Sequence, residues 1–198
     1  MNELKNIYIE IFNCTDCPLK GQEGKATHRG NPNSKVFVLG QNPGAEEVKT
    51  NKAFIGQAGQ IFDKIVYESI GIRTDSFYLS NVCRCKTPSN RMPTIREQNS
   101  CKKYWVAELN FIQPNVLILL GSLAIKAVGI FGPQFRMKDL VNTTVRTAPV
   151  PNGREILIIP CYHPAAVLYE KQKGTTVVSD SIRKTMEDNR ASIYSNLS

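Results

Sequence analysis

The chain has 198 residues, of which 41% are hydrophobic and 21% charged, as in an ordinary globular protein with room for its own core. The formal net charge of +8 permits a nucleic-acid partner without identifying one. The longest apolar run, residues 115–121, is too short to cross a bilayer. The N-terminus has charges inside its apolar pattern, which excludes a signal peptide. We therefore expect a cytoplasmic protein with no membrane partner.

Apolar spacing predicts helices and strands in alternation along the chain. Helices are predicted over 3–13, 57–70, 94 to about 111 and 122–128, followed by a polar helical tail within 170–198. Thr94 and Glu97 form a capping box at the start of the third of these helices. Strands are predicted at 35–40, 76–82, 115–121 and 154–160. Residues 141–150 are ambiguous, with an edge hairpin as one alternative.

This order predicts an α/β fold of three layers, α/β/α, around a central four-stranded, mostly parallel sheet. We expect one domain over residues 1–198. Sites in such folds lie at the carboxyl ends of the strands. The four loops at those ends read "GQNPGAEE", "NVCRCKTPSNRMP", "GSLA" and "CYHPAAVLY". Three of them are the most unusual segments of the chain, which predicts one shared site.

The cysteines indicate metal or redox chemistry, because six of them in a cytoplasmic chain do not suggest a disulfide framework. Cys14 and Cys17 form a C-x-x-C pair, but it precedes the first strand, which disfavours a thioredoxin-type redox motif. Two thiolates are half of a tetrahedral site. Cys85 and Cys101 are the best candidates for the other half, and Cys83 can compete with Cys85. Four thiolates suit zinc or an iron–sulfur cluster, and spacing alone does not separate the two.

Positive charge is concentrated between residues 84 and 103, which hold six Lys or Arg residues and one acid. A solvated helix face and a nucleic-acid contact both account for this pattern.

Several segments together resemble a known family. The segments "CTDCPL", "VLGQNPGAEE", "AFIGQAGQIFDKI", "YLSNVCRCKTPSNRMP", "SCKKYW" and "HPAAVL" occur in the order and spacing of the iron–sulfur uracil-DNA glycosylases, family 4 of the uracil-DNA glycosylase superfamily. The resemblance implies a DNA-repair enzyme that flips uracil out of DNA and hydrolyses its N-glycosidic bond to leave an abasic site. We expect a monomer acting on uracil-containing DNA. A replication or repair protein partner remains open.

The resemblance also implies a [4Fe–4S] cluster, which in this family is structural and organises a basic loop against DNA. Its ligands would be Cys14, Cys17, Cys85 and Cys101. In the loop, Lys86 and Arg91 are expected to contact phosphates. Leu168 is expected to be the wedge that fills the gap left by the flipped base.

For the base itself, the resemblance assigns four positions. Phe54 would stack on uracil, and the Asn81 amide would donate to O4 and accept from N3–H. Glu47 would occupy the space beside C5 and exclude the methyl group of thymine. His163 would donate a hydrogen bond to O2, where negative charge develops as uracil leaves.

The chain departs from the family at its first motif. Family 4 usually has an acid where this chain has Gln41, and another family has an aspartate where this chain has Asn42. Neither amide acts as a base near neutral pH. We expect Asn42 to position the water through its carbonyl oxygen and Gln41 to contact the loop and the base, with a rate lowered on the order of a hundredfold or more. Tyr169 also stands where arginine is frequent, which weakens the expected DNA contact there.

Two other functions compete with a glycosylase. The first is a catalytically weak or inactive DNA-binding protein of the same fold with a structural iron–sulfur cluster, favoured by the two amides. The second is a zinc protein with four cysteine ligands that binds RNA or a protein.

Overall fold

The computed structural model describes residues 2–132, 134–141, 146–149 and 153–197. The helices are α1 Asn2–Asn13, α2 Ala45–Thr50, α3 Gln57–Ile70, α4 Ile95–Ile112, α5 Gly121–Val128, α6 Met137–Leu140, α7 Ala165–Lys173, α8 Val177–Asp188 and α9 Arg190–Tyr194. The strands are β1 Arg29–Gly30, β2 Val36–Gly40, β3 Tyr78–Asn81, β4 Val116–Leu120, β5 Arg146–Pro149 and β6 Glu155–Cys161. Every predicted helix and strand is present, whereas the helices α2, α6 and α7 and the strand β1 were not predicted.

The strands form one sheet in the order β1-β3-β2-β4-β6-β5. Its four central strands are parallel, and the edge strands β1 and β5 pair antiparallel with their neighbours. The α/β class is confirmed, but over the described residues the sheet has six strands rather than the predicted four. The two-residue β1 is too short to give a periodic signal. β5 lies in the segment 141–150, which the sequence left ambiguous, and residues 142–145 and 150 of this segment are outside the described residues.

Helices cover both faces of the sheet, as a parallel sheet requires. All residues of β2 and β4 are buried, which explains their continuous apolar runs. Alternate residues along these strands enter two separate cores. One core holds Phe37 and Leu117 with α1, α4 and α5, and the other holds Val38 and Ile118 with α3, α8 and α9. The predicted three layers are therefore present.

The predicted capping box opens α4 beside the basic loop. Thr94 Oγ1 accepts a hydrogen bond from the Glu97 N–H at 3.3 Å, and the Glu97 carboxylate accepts one from the Thr94 N–H at 2.7 Å. In the tail, α8 buries Ile182 and Met186 against the core, so this helix is amphipathic rather than wholly polar. Within the described ranges, no helix combines the length and apolar character needed to cross a membrane.

Candidate functional site

The sheet register brings the predicted loops to one edge. Asn81, the last residue of β3, pairs with Gly40, the last residue of β2. Leu39 of β2 pairs with Leu119 of β4, and Leu120 pairs with Cys161 of β6. The carboxyl ends of four adjacent strands therefore stand side by side, and the amide loop (Gln41–Asn42), the basic loop (residues 86–94) and the loop carrying His163 all start from them.

Phe54 and Asn81 meet at Gly40. A methyl group on Gly40 would overlap the Phe54 ring and would lie 2.7 Å from Asn81 Oδ1. Both side chains are buried, with 5% and 4% of their surface exposed. Glycine is required here because it lets a flat ring and an amide approach the backbone of β2 together.

Phe54 has an unusual backbone. Its φ is +58°, in the left-handed region, which costs a residue with a side chain about 1–2 kcal/mol. Its carbonyl oxygen accepts a hydrogen bond of 2.9 Å from Arg29 Nη1. Arg29 was not predicted as a site residue, and it lies in the two-residue strand β1.

Gln41 and His163 meet at Gly121, the first residue of α5. A methyl group there would lie 2.9 Å from His163 Cβ and 3.2 Å from Gln41 Nε2. The φ of Gly121 is +85°, so a side chain would also be strained. Gly121 was missed as a site residue. A glycine placed directly after a continuous apolar strand was the available signal.

His163 is a neutral hydrogen-bond donor near pH 7. Burial lowers the pKa of His163 to about 4. Its Nδ1 accepts a hydrogen bond of 3.2 Å from the Ala165 N–H, which leaves the proton of the neutral ring on Nε2. The ring thus has one N–H available for a ligand.

Asn42 links the amide loop to the basic loop. Its Nδ2 donates to the Pro43 carbonyl at 3.3 Å and to Thr87 Oγ1 at 3.4 Å. Thr87 is fully buried, and its hydroxyl donates to the Arg91 carbonyl at 2.5 Å. With the amide nitrogen engaged on this side, the Asn42 carbonyl oxygen is the group left to accept a hydrogen bond from a ligand or a water. Thr87 was not predicted.

Glu47 joins two loops. Its carboxylate oxygens accept hydrogen bonds from the Gly44 N–H at 3.1 Å and the Gly56 N–H at 2.8 Å, and its side chain is buried. The carboxylate is therefore held between the start of α2 and the start of α3.

The two predicted phosphate contacts both have carboxylate partners. Lys86 forms an ion pair with Glu23. Arg91 binds Glu97 with both of its Nη atoms, at 2.7 and 2.9 Å, and this guanidinium lowers the pKa of the Glu97 carboxyl to about 2. Arg91 is still 42% exposed, whereas Lys86 is 15% exposed. Arg96 of α4 is exposed on the same segment.

Leu168 and Tyr169 lie on α7, a helix where a loop was expected, directly after the His163 segment. Leu168 is half-buried, and Tyr169 is exposed.

The four cysteines predicted to bind metal lie in neighbouring segments. Cys17 and Cys85 pack in one small apolar group with Leu19. Burial and the nearby Cys101 and Cys17 thiols raise the pKa of Cys85 to about 12. Cys14 lies against Tyr104, one turn after Cys101 on α4. The four thiols thus lie in neighbouring segments, and their chemistry is that of the ligands of an iron–sulfur group.

Among the residues that the structure describes, no three His, Cys, Asp or Glu side chains stand in a metal-binding arrangement. Cys83, the competing candidate, is fully buried in the core that contains Trp105 and Cys101. Cys85 rather than Cys83 therefore shares a group with Cys17. The cluster stays a prediction.

A sequence profile described as the uracil DNA glycosylase superfamily matches residues 27–188. The chain belongs to this superfamily. It is 34% identical over 187 residues to the type-4 uracil-DNA glycosylase of Archaeoglobus fulgidus, a match that covers 91% of this chain and 90% of that protein. It is also 34% identical over 187 residues to the type-4 uracil-DNA glycosylase of Thermotoga maritima, covering 92% and 93% of the two chains.

A third relative, the type-4 uracil-DNA glycosylase of Sulfurisphaera tokodaii, is 27% identical over 190 residues, which cover 95% of this chain and 82% of that protein. The predicted family is confirmed, and the predicted enzyme class agrees with the names of these relatives.

Proposed function

We propose that this protein is a DNA-repair glycosylase that hydrolyses the N-glycosidic bond of a uracil flipped out of DNA, leaving an abasic site. One observation carries the proposal. A buried aromatic ring and amide meet at Gly40, and a second amide and a neutral histidine meet at Gly121, at the ends of adjacent parallel strands. A flipped pyrimidine requires a flat apolar surface, an amide for its edge and a donor for its leaving charge.

Base recognition would use Phe54, Asn81 and Glu47. The Phe54 ring stacks on uracil, and the Asn81 amide donates to O4 and accepts from N3–H, a pattern that cytosine does not match. The two backbone hydrogen bonds to Glu47 support a rigid position for its carboxylate beside C5, where thymine has its methyl group.

Catalysis would use His163, Asn42 and Gln41. The Nε2–H of His163 donates to uracil O2 as negative charge develops there, and a neutral ring performs this without a proton transfer. The free carbonyl oxygen of Asn42 orients the attacking water, and Gln41 contacts the base and the loop. Since neither amide carries a charge, the cationic sugar lacks carboxylate support and the rate is reduced.

DNA binding would involve Lys86, Arg91 and Leu168. Both cations lie on the basic loop at the same edge of the sheet. On DNA binding, each would give up part of its contact with its carboxylate partner and contact a DNA phosphate instead. Leu168 enters the gap in the duplex as a wedge.

A [4Fe–4S] cluster held by Cys14, Cys17, Cys85 and Cys101 would give this loop its structure. When bound, the cluster supplies rigidity rather than chemistry. Iron and sulfide analysis of the purified protein tests it, with Cys161→Ser as the control because Cys161 is buried in the other core. Iron loss in Cys17→Ser and Cys85→Ser but not in the control supports the cluster. Purified protein that is colourless and contains zinc would instead support a zinc site in place of the cluster.

The activity is tested with purified, cluster-loaded protein on oligonucleotides that carry U:G, U:A, single-stranded U or hypoxanthine. We expect abasic sites from uracil, which are lost in the Asn42→Ala/His163→Ala double variant. His28→Gln, which changes the other histidine of the chain, is the matched control. Absence of base release from every uracil substrate would rule out the proposal.

The second candidate is a DNA-binding protein that recognises uracil without releasing it, and the amides Gln41 and Asn42 favour it. Binding of uracil-containing DNA in preference to matched thymine-containing DNA, without base release, would select this candidate.

We also propose a monomer with a single domain over residues 1–198, located in the cytoplasm. All six cysteines are described and none forms a disulfide, which supports a reducing compartment.

A further inference from the structure

Arg29 is the centre of a hydrogen-bond network beneath Phe54. Its Nη1 donates to the Phe54 carbonyl at 2.9 Å and to Asp63 Oδ2 at 2.8 Å. Its Nη2 donates to Asp63 Oδ1 at 2.5 Å and to Thr74 Oγ1 at 2.7 Å, and the Thr74 hydroxyl donates to the same carboxylate. The Arg29 side chain is 14% exposed. The guanidinium is therefore held in one orientation by a bidentate carboxylate.

This network acts on a residue in a strained conformation. An aromatic residue with a φ of +58° persists only where its surroundings hold it. On the backbone side of Phe54, Arg29 binds the carbonyl, and a methyl group on Gly59 would overlap that same carbonyl. On the opposite side, the ring lies against Gly40 and Asn81. The direction of the Phe54 carbonyl and the position of the Phe54 ring are linked, because both are set by the left-handed backbone conformation of this residue.

We propose that Arg29, clamped by Asp63 and Thr74, is a positioning residue for base recognition. It holds Phe54 in the left-handed conformation that places the ring beside Asn81. This inference rests on the proposed function, in which that ring stacks on uracil. A lysine does not replace Arg29, because a single ammonium cannot reach the carbonyl and both carboxylate oxygens in fixed directions.

The first test is a double-mutant cycle with Arg29→Gln and Phe54→Leu, read as kcat/KM on uracil-containing DNA. We expect Arg29→Gln to lower kcat/KM by about tenfold or more, and to lower it no further once Phe54 is leucine. Binding of abasic-site DNA, which has no base to stack, should not change. Arg136→Gln, which breaks the exposed ion pair with Asp139, is the matched control and should have no effect.

A purely structural role gives a different result. An equal loss in both Phe54 backgrounds, or no loss in either, would overturn the proposal. Thermal unfolding of each variant is measured first. Should Arg29→Gln not fold, Thr74→Val removes one arm of the clamp at similar volume and should give a smaller loss with the same dependence on Phe54.

A crystal structure of Arg29→Gln, or of Thr74→Val, provides a readout that does not need activity. We expect Phe54 to leave the left-handed region and its ring to move away from Gly40. Phe54 unchanged in that structure would disprove positioning by Arg29. No uracil release by the wild-type protein would instead disprove the proposed function, so the two failures are distinguishable.

Discussion

Arg84 and Glu108 form an ion pair in the protein interior, with 2.5 Å between Nη2 and Oε2 and with side chains that are 1% and 0% exposed. The hydroxyl of Ser80 bonds both partners. Because Arg84 lies between Cys83 and Cys85, the pair ties the segment after β3 to α4, which carries Cys101.

Breaking this pair should destabilise the fold strongly. Glu108→Gln leaves the Arg84 charge buried without a counter-charge, and we expect the free energy of unfolding to fall by about 3–5 kcal/mol. Urea unfolding measures this. Glu46→Gln, in the exposed Lys49–Glu46 pair, is the control and should change it by less than about 1 kcal/mol. Equal effects would show that the buried pair is not specially stabilising.

A methyl group at Gly121 should lower activity more than stability. Gly121→Ala displaces His163 and Gln41. Gly129 has a similar positive φ of +79°, but a methyl group added there would have no atom within 4 Å, so Gly129→Ala is the control. Both variants should lose similar backbone stability, about 1 kcal/mol. We expect only Gly121→Ala to lower kcat, by about a hundredfold. Similar kcat values for the two variants would argue against a site at Gly121.

Asn42→Asp should raise the rate of uracil release. A carboxylate at this position would stabilise the cationic sugar, and we expect kcat to rise about tenfold or more, while Asn42→Ala lowers it. Single-turnover kinetics on U:G DNA measure both. A lower rate in Asn42→Asp would mean that the hydrogen bond from the Asn42 amide to Thr87 is more important for the rate than the missing negative charge.

The pH dependence of the rate should show no step where histidine ordinarily titrates. The pKa of His163 is lowered to about 4 by burial, so the ring stays neutral from pH 8 down to about 5 and kcat should be flat across this range. A step near pH 6.5 that disappears in His163→Gln would contradict a neutral donor.

Stability should fall on the acid side. Burial lowers the pKa values of His28 and His163 to about 4, below the ordinary value of about 6.5 that applies to the unfolded chain. Between these pH values the unfolded chain binds protons that the folded chain does not. The free energy of unfolding should therefore fall as the pH drops from 6.5 towards 4, by at most about 1.4 kcal/mol per pH unit for each histidine. Urea titrations at several pH values measure this, and His28→Gln should reduce the slope.

Variants of the two cations of the basic loop can be compared by the salt dependence of their DNA binding and by their stability to unfolding. Lys86→Gln should weaken DNA binding and reduce the salt slope by about 1, with little change in unfolding. Arg91→Gln should also lower the urea midpoint, because the Glu97 carboxylate is 2% exposed and loses its only counter-charge among the described ion pairs. An unchanged salt slope in both variants would place the phosphate contacts elsewhere, with exposed Arg96 as the next candidate.

Local patterns in the sequence determined the elements of the fold. The continuous apolar runs of β2 and β4 predicted buried parallel strands, and Thr94 with Glu97 predicted the start of α4. These signals are local because an apolar run and a capping box are both patterns of residues that are close together in the sequence. The motifs of the loops likewise indicate the family, because they are short patterns in the sequence itself.

Only the tertiary structure decided which side chains meet. Arg29 binds the carbonyl of Phe54, Arg84 pairs with Glu108, and Gly121 lies between His163 and Gln41. None of these contacts follows from a periodic pattern, because each joins segments that are far apart in sequence and adjacent only through the strand order. The two-residue β1 was missed for the same reason, since its pairing with β3 defines it as a strand, whereas its own sequence does not.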